Sequence, residues 1–219
     1  LRYVNYSQLG DALRRVTPFV PLSHGAMGQP DGVEVCGILP NGIAMMINGR
    51  PFNDTWSTIY DPLRFSPNAL ERVEILAGSD AIGGSAELSF VAMNMQRSVY
   101  NSARPHIAMW YNQGAGDLVT GSVAYSQNVS ERAAIYGTIR RSGARGVYQS
   151  TDYDAWNVHL QSRFMVSQHS LFTMSYDLVS SATDGWGGVS QDPIGGTQLV
   201  ETLQPKFPTF RDYQRRHDI

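Results

Sequence analysis

A single cysteine, Cys36, stands in 219 residues. It excludes an internal disulfide framework and a cysteine-based zinc site. Charge is scarce as well. Charged residues make up 16% of the chain and the net charge is -2, against a usual charged share of about a quarter. No basic surface is available for nucleic acid, and no charge block marks a disordered tail. No apolar run reaches the roughly eighteen residues of a membrane-spanning helix. The five histidines, at 24, 106, 159, 169 and 217, lack i,i+4 and HExxH spacing, so neither a metal centre nor a cofactor is implied. Ser85 has no Gly two residues later, so "GGSA" is not a nucleophile elbow. Gly83-Gly84 is not followed by Lys-Ser/Thr, so it is not a phosphate loop. Nothing argues for an enzyme. No signal peptide is visible, and Leu1 in place of Met reads as a processed start.

Glycine is abundant, at 21 residues, and hydrophobic residues make up 42%. They are arranged in two grammars. Up to about residue 100, short helical and strand signals mix. "SQLGDALRRV" has Ser7 as an N-cap, Leu9, Leu13 and Val16 on one face, and Pro18 beyond the end. "GVEVCG" reads as a strand with Cys36 inside it as a small buried hydrophobe, "LPNG" as a turn and "IAMMI" as a strand. "SPNALERVEIL" predicts a helix opened by Ser66 and Pro67, with a strand from Val73 to Leu76. In "MMINGRPFND", Asn48-Gly49 suits a type I′ turn with polar side chains pointing outward. Pro51 then sends the chain out of the sheet or along its edge.

From about residue 105, strict alternation takes over. Val119, Gly121, Val123 and Tyr125 oppose Thr120, Ser122, Ala124 and Ser126. Ile135 and Ile139 alternate with Tyr136, Thr138 and Arg140. Trp156, Val158, Leu160 and Phe164 oppose Asn157, His159, Gln161 and Arg163; Phe172, Met174, Tyr176 and Leu178 oppose Thr173, Ser175 and Asp177. Period two fits a soluble sandwich, whose polar face meets solvent, and an outer-membrane barrel, whose polar face lines the lumen. Connector lengths favour the barrel: "NVSE" and "VSQH" are short, whereas "SGARGVYQSTD" and the segment after Ser180 are long.

Three segments in order, "LGDALRRVTPFV", "VEVCGILPNGIAMMINGRPFND" and "LERVEILAG", resemble the plug domain of TonB-dependent outer-membrane receptors. The resemblance covers about residues 7–85 in motif and 105–180 in pattern. It implies an α+β plug domain at 1–100, followed at 101–219 by antiparallel strands of a transmembrane β-barrel and a long extracellular loop. It also implies the outer membrane of a Gram-negative bacterium, with outer-membrane lipid and TonB or other membrane subunits as partners. The small-molecule ligand would belong to the iron chelate, corrinoid or saccharide class. Family barrels of this plugged type have about 22 strands. Only about five are legible here and single-chain barrels start at eight, so the chain reads as the N-terminal part of a longer protein. No TonB box is visible before Leu1.

Ligand capture at the plug apex points to Arg50, Phe52, Asn53, Asp54, Trp56 and Tyr60, a polar-aromatic cluster able to cup a small ligand. The plainer reading packs Phe52 and Trp56 against the barrel wall and uses Asp54 as a turn cap. "SHGAMGQPDG" is a second apex candidate. Arg72 and Glu74 match family positions of the plug–barrel contact. Two family arginines are replaced, by Cys36 and Ala77. That opens an alternative from another class: a receptor-derived structural or adhesive protein, or a complex subunit, that has lost transport.

Overall fold

A computed structural model describes residues 9–15, 19–22, 32–52, 65–84, 89–98, 103–146, 151–185 and 210–218. The chain divides into two compact units, with the break between Asn101 and Ser102.

The first unit mixes short elements. Helix α1 (Leu9–Leu13) buries Leu9 and Leu13; Ser7 and Val16 lie outside the described residues. Strands β1 (Phe19–Leu22) and β2 (Gly32–Val35) form an antiparallel pair. Strands β3 (Ile43–Ile47), β4 (Arg50–Pro51), β5 (Leu70–Ala77) and β6 (Val91–Arg97) form a sheet in the order β4-β3-β6-β5. Helix α2 (Ser79–Gly84) joins β5 to β6. Strand β3 runs parallel to β6 and is buried along its whole length. Its "IAMMI" run needs apolar residues at every position, because both faces are covered. Ile43, Met45 and Ile47 join Val91, Met93 and Met95 in the larger core, while Ala44 and Met46 meet Ala81 and Ala92 on the other side. Each large side chain so buried contributes roughly 1.5–3 kcal/mol. With a buried core of its own and, among the described residues, no strand alternating an exposed apolar face, the fragment 1–100 expressed alone is expected to stay soluble in water. Recovery only in detergent would move the boundary between the units.

Three local expectations are corrected here. The helix expected at Ser66 is a single 3-10 turn, Pro67–Ala69; Ser66 makes no capping bond, and β5 begins at Leu70. Pairing along β6, from Leu70 opposite Arg97 to Ala77 opposite Val91, outweighs the local helix-start signal. Cys36 is not a buried strand residue. It is exposed, with φ 52, and forms a two-residue turn with Gly37 at φ 80. The turn is closed by mutual backbone bonds between Val35 and Ile38, the geometry of a type I′ hairpin. Asn48 is exposed, yet its side-chain oxygen is turned back to accept from the Arg97 amide.

The second unit is an antiparallel meander of six strands: β7 (His106–Gly114), β8 (Leu118–Ser130), β9 (Ala133–Ala144), β10 (Tyr153–Ser167), β11 (Ser170–Gly185) and β12 (Phe210–Asp218). That corrects the count of about five, and the segment after Ser180, expected as a long loop leading toward a sixth strand, itself holds the end of β11 and the sixth strand, β12. Strand β11 continues to Gly185, and β12 pairs with it from Gly185 opposite Phe210 to Asp177 opposite Asp218. The alternation of connectors is also imperfect. The three-residue turn Ala115–Asp117 lies at the same end as the long connectors, where Gly116 O accepts from the amides of Arg145 and Gly146.

Burial separates barrel from sandwich. A sandwich hides its apolar face and wets its polar one. Here Val123, Ile139, Leu160 and Phe172 are 44%, 48%, 49% and 59% exposed, while Thr138, Arg140, His159 and Gln161 are buried. The sheet is inside out by soluble standards. From Trp156 to Phe164 the apolar side of β10 spans roughly 26 Å of strand, or about 20 Å along the membrane normal at the usual tilt of about 35–45°, which fits within the ≈ 25 Å apolar band of outer-membrane barrels. Among the described residues β7 and β12 are open edges, so the sheet is an incomplete barrel.

Candidate functional site

The Asn48–Gly49 turn is built by its sequence and then held by its neighbours. Both residues have positive φ, 49 and 77, which asparagine and glycine tolerate best. The turn pairs Ile47 with Arg50 and Met46 with Pro51, with β4 at the sheet edge. The Asn48 amide donates to Met95 O at 3.0 Å, and the Gly49 amide to Asn94 Oδ1 at 2.9 Å.

Asn94 is in turn held by β5. Glu74 lies opposite Asn94, and Arg72 opposite Gln96. Glu74 Oε2 accepts from Asn94 Nδ2 at 3.0 Å and from Gln96 Nε2 at 2.7 Å. Arg72 donates through Nε to Gln96 Oε1 at 2.7 Å, and its Nη2 lies 2.8 Å from Glu74 Oε1. The ion pair itself is worth at most about 1 kcal/mol, because Arg72 is largely exposed. Its larger effect is positional: it orients the amides that fix the turn.

The cluster expected beyond the turn is only partly described. Arg50 is exposed on β4. Phe52 is half-buried and does not stand beside it; its amide donates to Met45 O at 2.8 Å. Its ring meets Phe65 edge-on at 5.9 Å, and the Arg97 guanidinium lies 4.1 Å over Phe65. Phe52 thus packs on its own unit. Asn53, Asp54, Trp56, Tyr60 and most of the second candidate loop (Ser23–Asp31) lie outside the described residues. Asn94 and Gln96, unnoticed in the sequence, had a signal: in "VAMNMQR" two amides occupy one face while Val91, Met93 and Met95 fill the other. Asn94→Leu is expected to destabilise this unit by about 1–3 kcal/mol, since the Gly49 amide loses its acceptor. Urea unfolding measures it; an unchanged midpoint would mean the clamp holds nothing.

In the second unit the buried polar side carries a row in register, Thr138, His159 and Asp177, on β9, β10 and β11. His159 Nδ1 lies 2.9 Å from Asp177 Oδ1, and the Tyr136 ring is 5.8 Å from the imidazole. A carboxylate only accepts, so Nδ1 carries the proton. Among the described residues no group of three His, Cys, Asp or Glu is placed to hold a metal ion.

The sequence family described as the TonB-dependent receptor plug domain matches residues 2–89. The chain carries a TonB-dependent receptor plug domain. Its described part is the α+β sheet unit, and the strands that follow are of the barrel type. Solved structures agree on the fold. FpvA of P. aeruginosa, bound to heterologous pyoverdines, aligns with TM-score 0.64 at 12% identity, over 80% of this chain and 23% of that one. The siderophore receptor PiuA of Acinetobacter baumannii gives 0.62 at 20%, over 80% and 24%. The copper transporter OprC gives 0.67 at 10%, over 81% and 29%. The chain therefore spans about a quarter of the length of these receptors. No curated protein matches the sequence. The plug match and the barrel-type strands together place the chain in the Gram-negative outer membrane.

Proposed function

We propose that the chain is the plug and first barrel strands of a receptor that captures an iron chelate at the plug apex and takes it up with TonB. The plug match over residues 2–89 carries this reading. The inside-out sheet supports it, as does the turn fixed through Asn94, which presents Arg50 on a rigid base. The ligand class is suggested by FpvA, bound to pyoverdines, and by the siderophore receptor PiuA. In this reading Arg72 and Glu74 also serve the plug–barrel contact, and strands beyond this chain close the edges of β7 and β12, which lipid cannot satisfy.

The test uses the full-length receptor with ferric catecholate and ferric hydroxamate siderophores. Arg50→Ala with Trp56→Ala is expected to weaken binding about tenfold or more, the usual loss when a charge-assisted contact is removed, with assembly intact. Unchanged affinity would move the site to other loops. A second reading, a receptor-derived protein without transport, is favoured by Cys36 and Ala77 standing where the family has arginines. Siderophore uptake in iron-starved cells separates the two.

A further inference from the structure

A cavity of about 650 Å³ opens on the apolar, outward side of the second unit. Register explains it. Tyr125, Gly137, Leu160 and Tyr176 occupy one rung across β8 to β11. Glycine at 137 leaves a gap between the two tyrosines. Leu160 leans over it, so that a Cβ at 137 would lie 3.2 Å from Leu160 Cδ2. The next rung toward the short turns is Gln127, Ile135, Ser162 and Met174, and there Ser162 is the small residue. Two small side chains on adjacent rungs and adjacent strands make a slanted trough, walled by Ile135, Ile139 and Met174.

We propose that this trough is a binding site for one acyl chain of a phospholipid. The proposal rests on the reading of the apolar side as membrane-facing. The trough is continuous with that side, whose exposed residues include Val123, Ile139 and Leu160. Its walls are hydrocarbon and aromatic, and its volume lies in the range of small-ligand sites. Hydrophobic transfer supplies no drive between two apolar media. An unfilled notch, however, forfeits dispersion contacts along its whole lining, and a chain lying in it recovers them. The trough lies toward the short turns at Glu131-Arg132 and Gln168-His169. The occupant therefore belongs to the leaflet on the short-turn side, which in such barrels is periplasmic.

The experiment places the full-length receptor in nanodiscs containing phosphatidylethanolamine with a diazirine on one acyl chain, and maps adducts by mass spectrometry. Adducts are expected to concentrate at Ile135, Leu160 and Met174 over Ile107, Val119 and Phe172, which are exposed on the strands outside the trough. Gly137→Leu and, independently, Ser162→Leu should each abolish that excess and leave the other positions labelled. Even labelling of all six positions overturns the site, as does an excess that survives both substitutions. Labelling of the trough below the other positions also overturns it, because a protein segment would then fill the notch. Absence of adducts from the entire apolar side would instead remove the membrane reading beneath it.

Discussion

Val158→Arg in the full-length receptor is expected to cost about 2–4 kcal/mol of folding free energy in lipid, the penalty of a cation near the midplane. Val158 lies between Trp156 and Leu160 on the outward side of β10, in register with Ile139 and Leu178. His159→Arg places the same charge one residue away, on the side where Arg140 and Arg163 already stand, and Asp177 stays in reach as a partner. It should lose far less. Folding into phospholipid vesicles, followed by heat-modifiable gel mobility, measures both. A packed protein core would also reject Val158→Arg, so the companion variant is Val158→Leu with Leu160→Phe. Lipid takes up the added volume, whereas a close-packed core loses about 1–3 kcal/mol. Clear destabilisation of that variant would turn Val158 and Leu160 toward protein.

The second large effect lies on the polar side of the same strand. His159 and Asp177 are buried to 3% and 16% side-chain exposure, so His159→Leu strips the carboxylate of a donor where water replaces it poorly. The expected loss is about 1–3 kcal/mol. The double variant His159→Leu with Asp177→Leu should recover part of it, because the carboxylate that lost its donor is then removed as well. Guanidinium unfolding in detergent micelles gives the comparison. A double variant as weak as the sum of the single losses would show that the pair is not coupled.

These contrasts trace to what is legible in a sequence. Period-two alternation in β8 to β11 was legible because each strand keeps one apolar and one polar side along its length. Which side is hidden was not, since the same pattern serves sandwich and barrel. Strand β12, "FRDYQRRHD", escaped notice because it has no apolar face. It pairs with the half of β11 nearest the long connector, away from Phe172 and Met174, where charge is tolerated. The Asn48–Gly49 turn was legible from two residues suited to positive φ. The Cys36–Gly37 turn was not, because cysteine seldom adopts φ 52. The one-turn start at Ser66 carries a helix signature that is outweighed by partners some twenty residues away in sequence. At the candidate site, Arg50 and the turn were readable locally. The Asn94 clamp arises from strand order β4-β3-β6-β5, which local pattern does not specify.

The membrane orientation of the second unit is tested most directly by spin labels placed singly from Trp156 to Phe164 in the full-length receptor, with Cys36→Ser removing this segment's only thiol. Collision with oxygen and with a water-soluble nickel chelate is then read in lipid bilayers. Labels at 156, 158, 160 and 164 should collide with oxygen and exclude nickel, while labels at 157, 159 and 161 should show no oxygen maximum. A period of two with its oxygen maxima on the apolar positions is the result expected. Apolar positions shielded from both reagents, or open to nickel, would contradict it and put that side of β10 against protein or water.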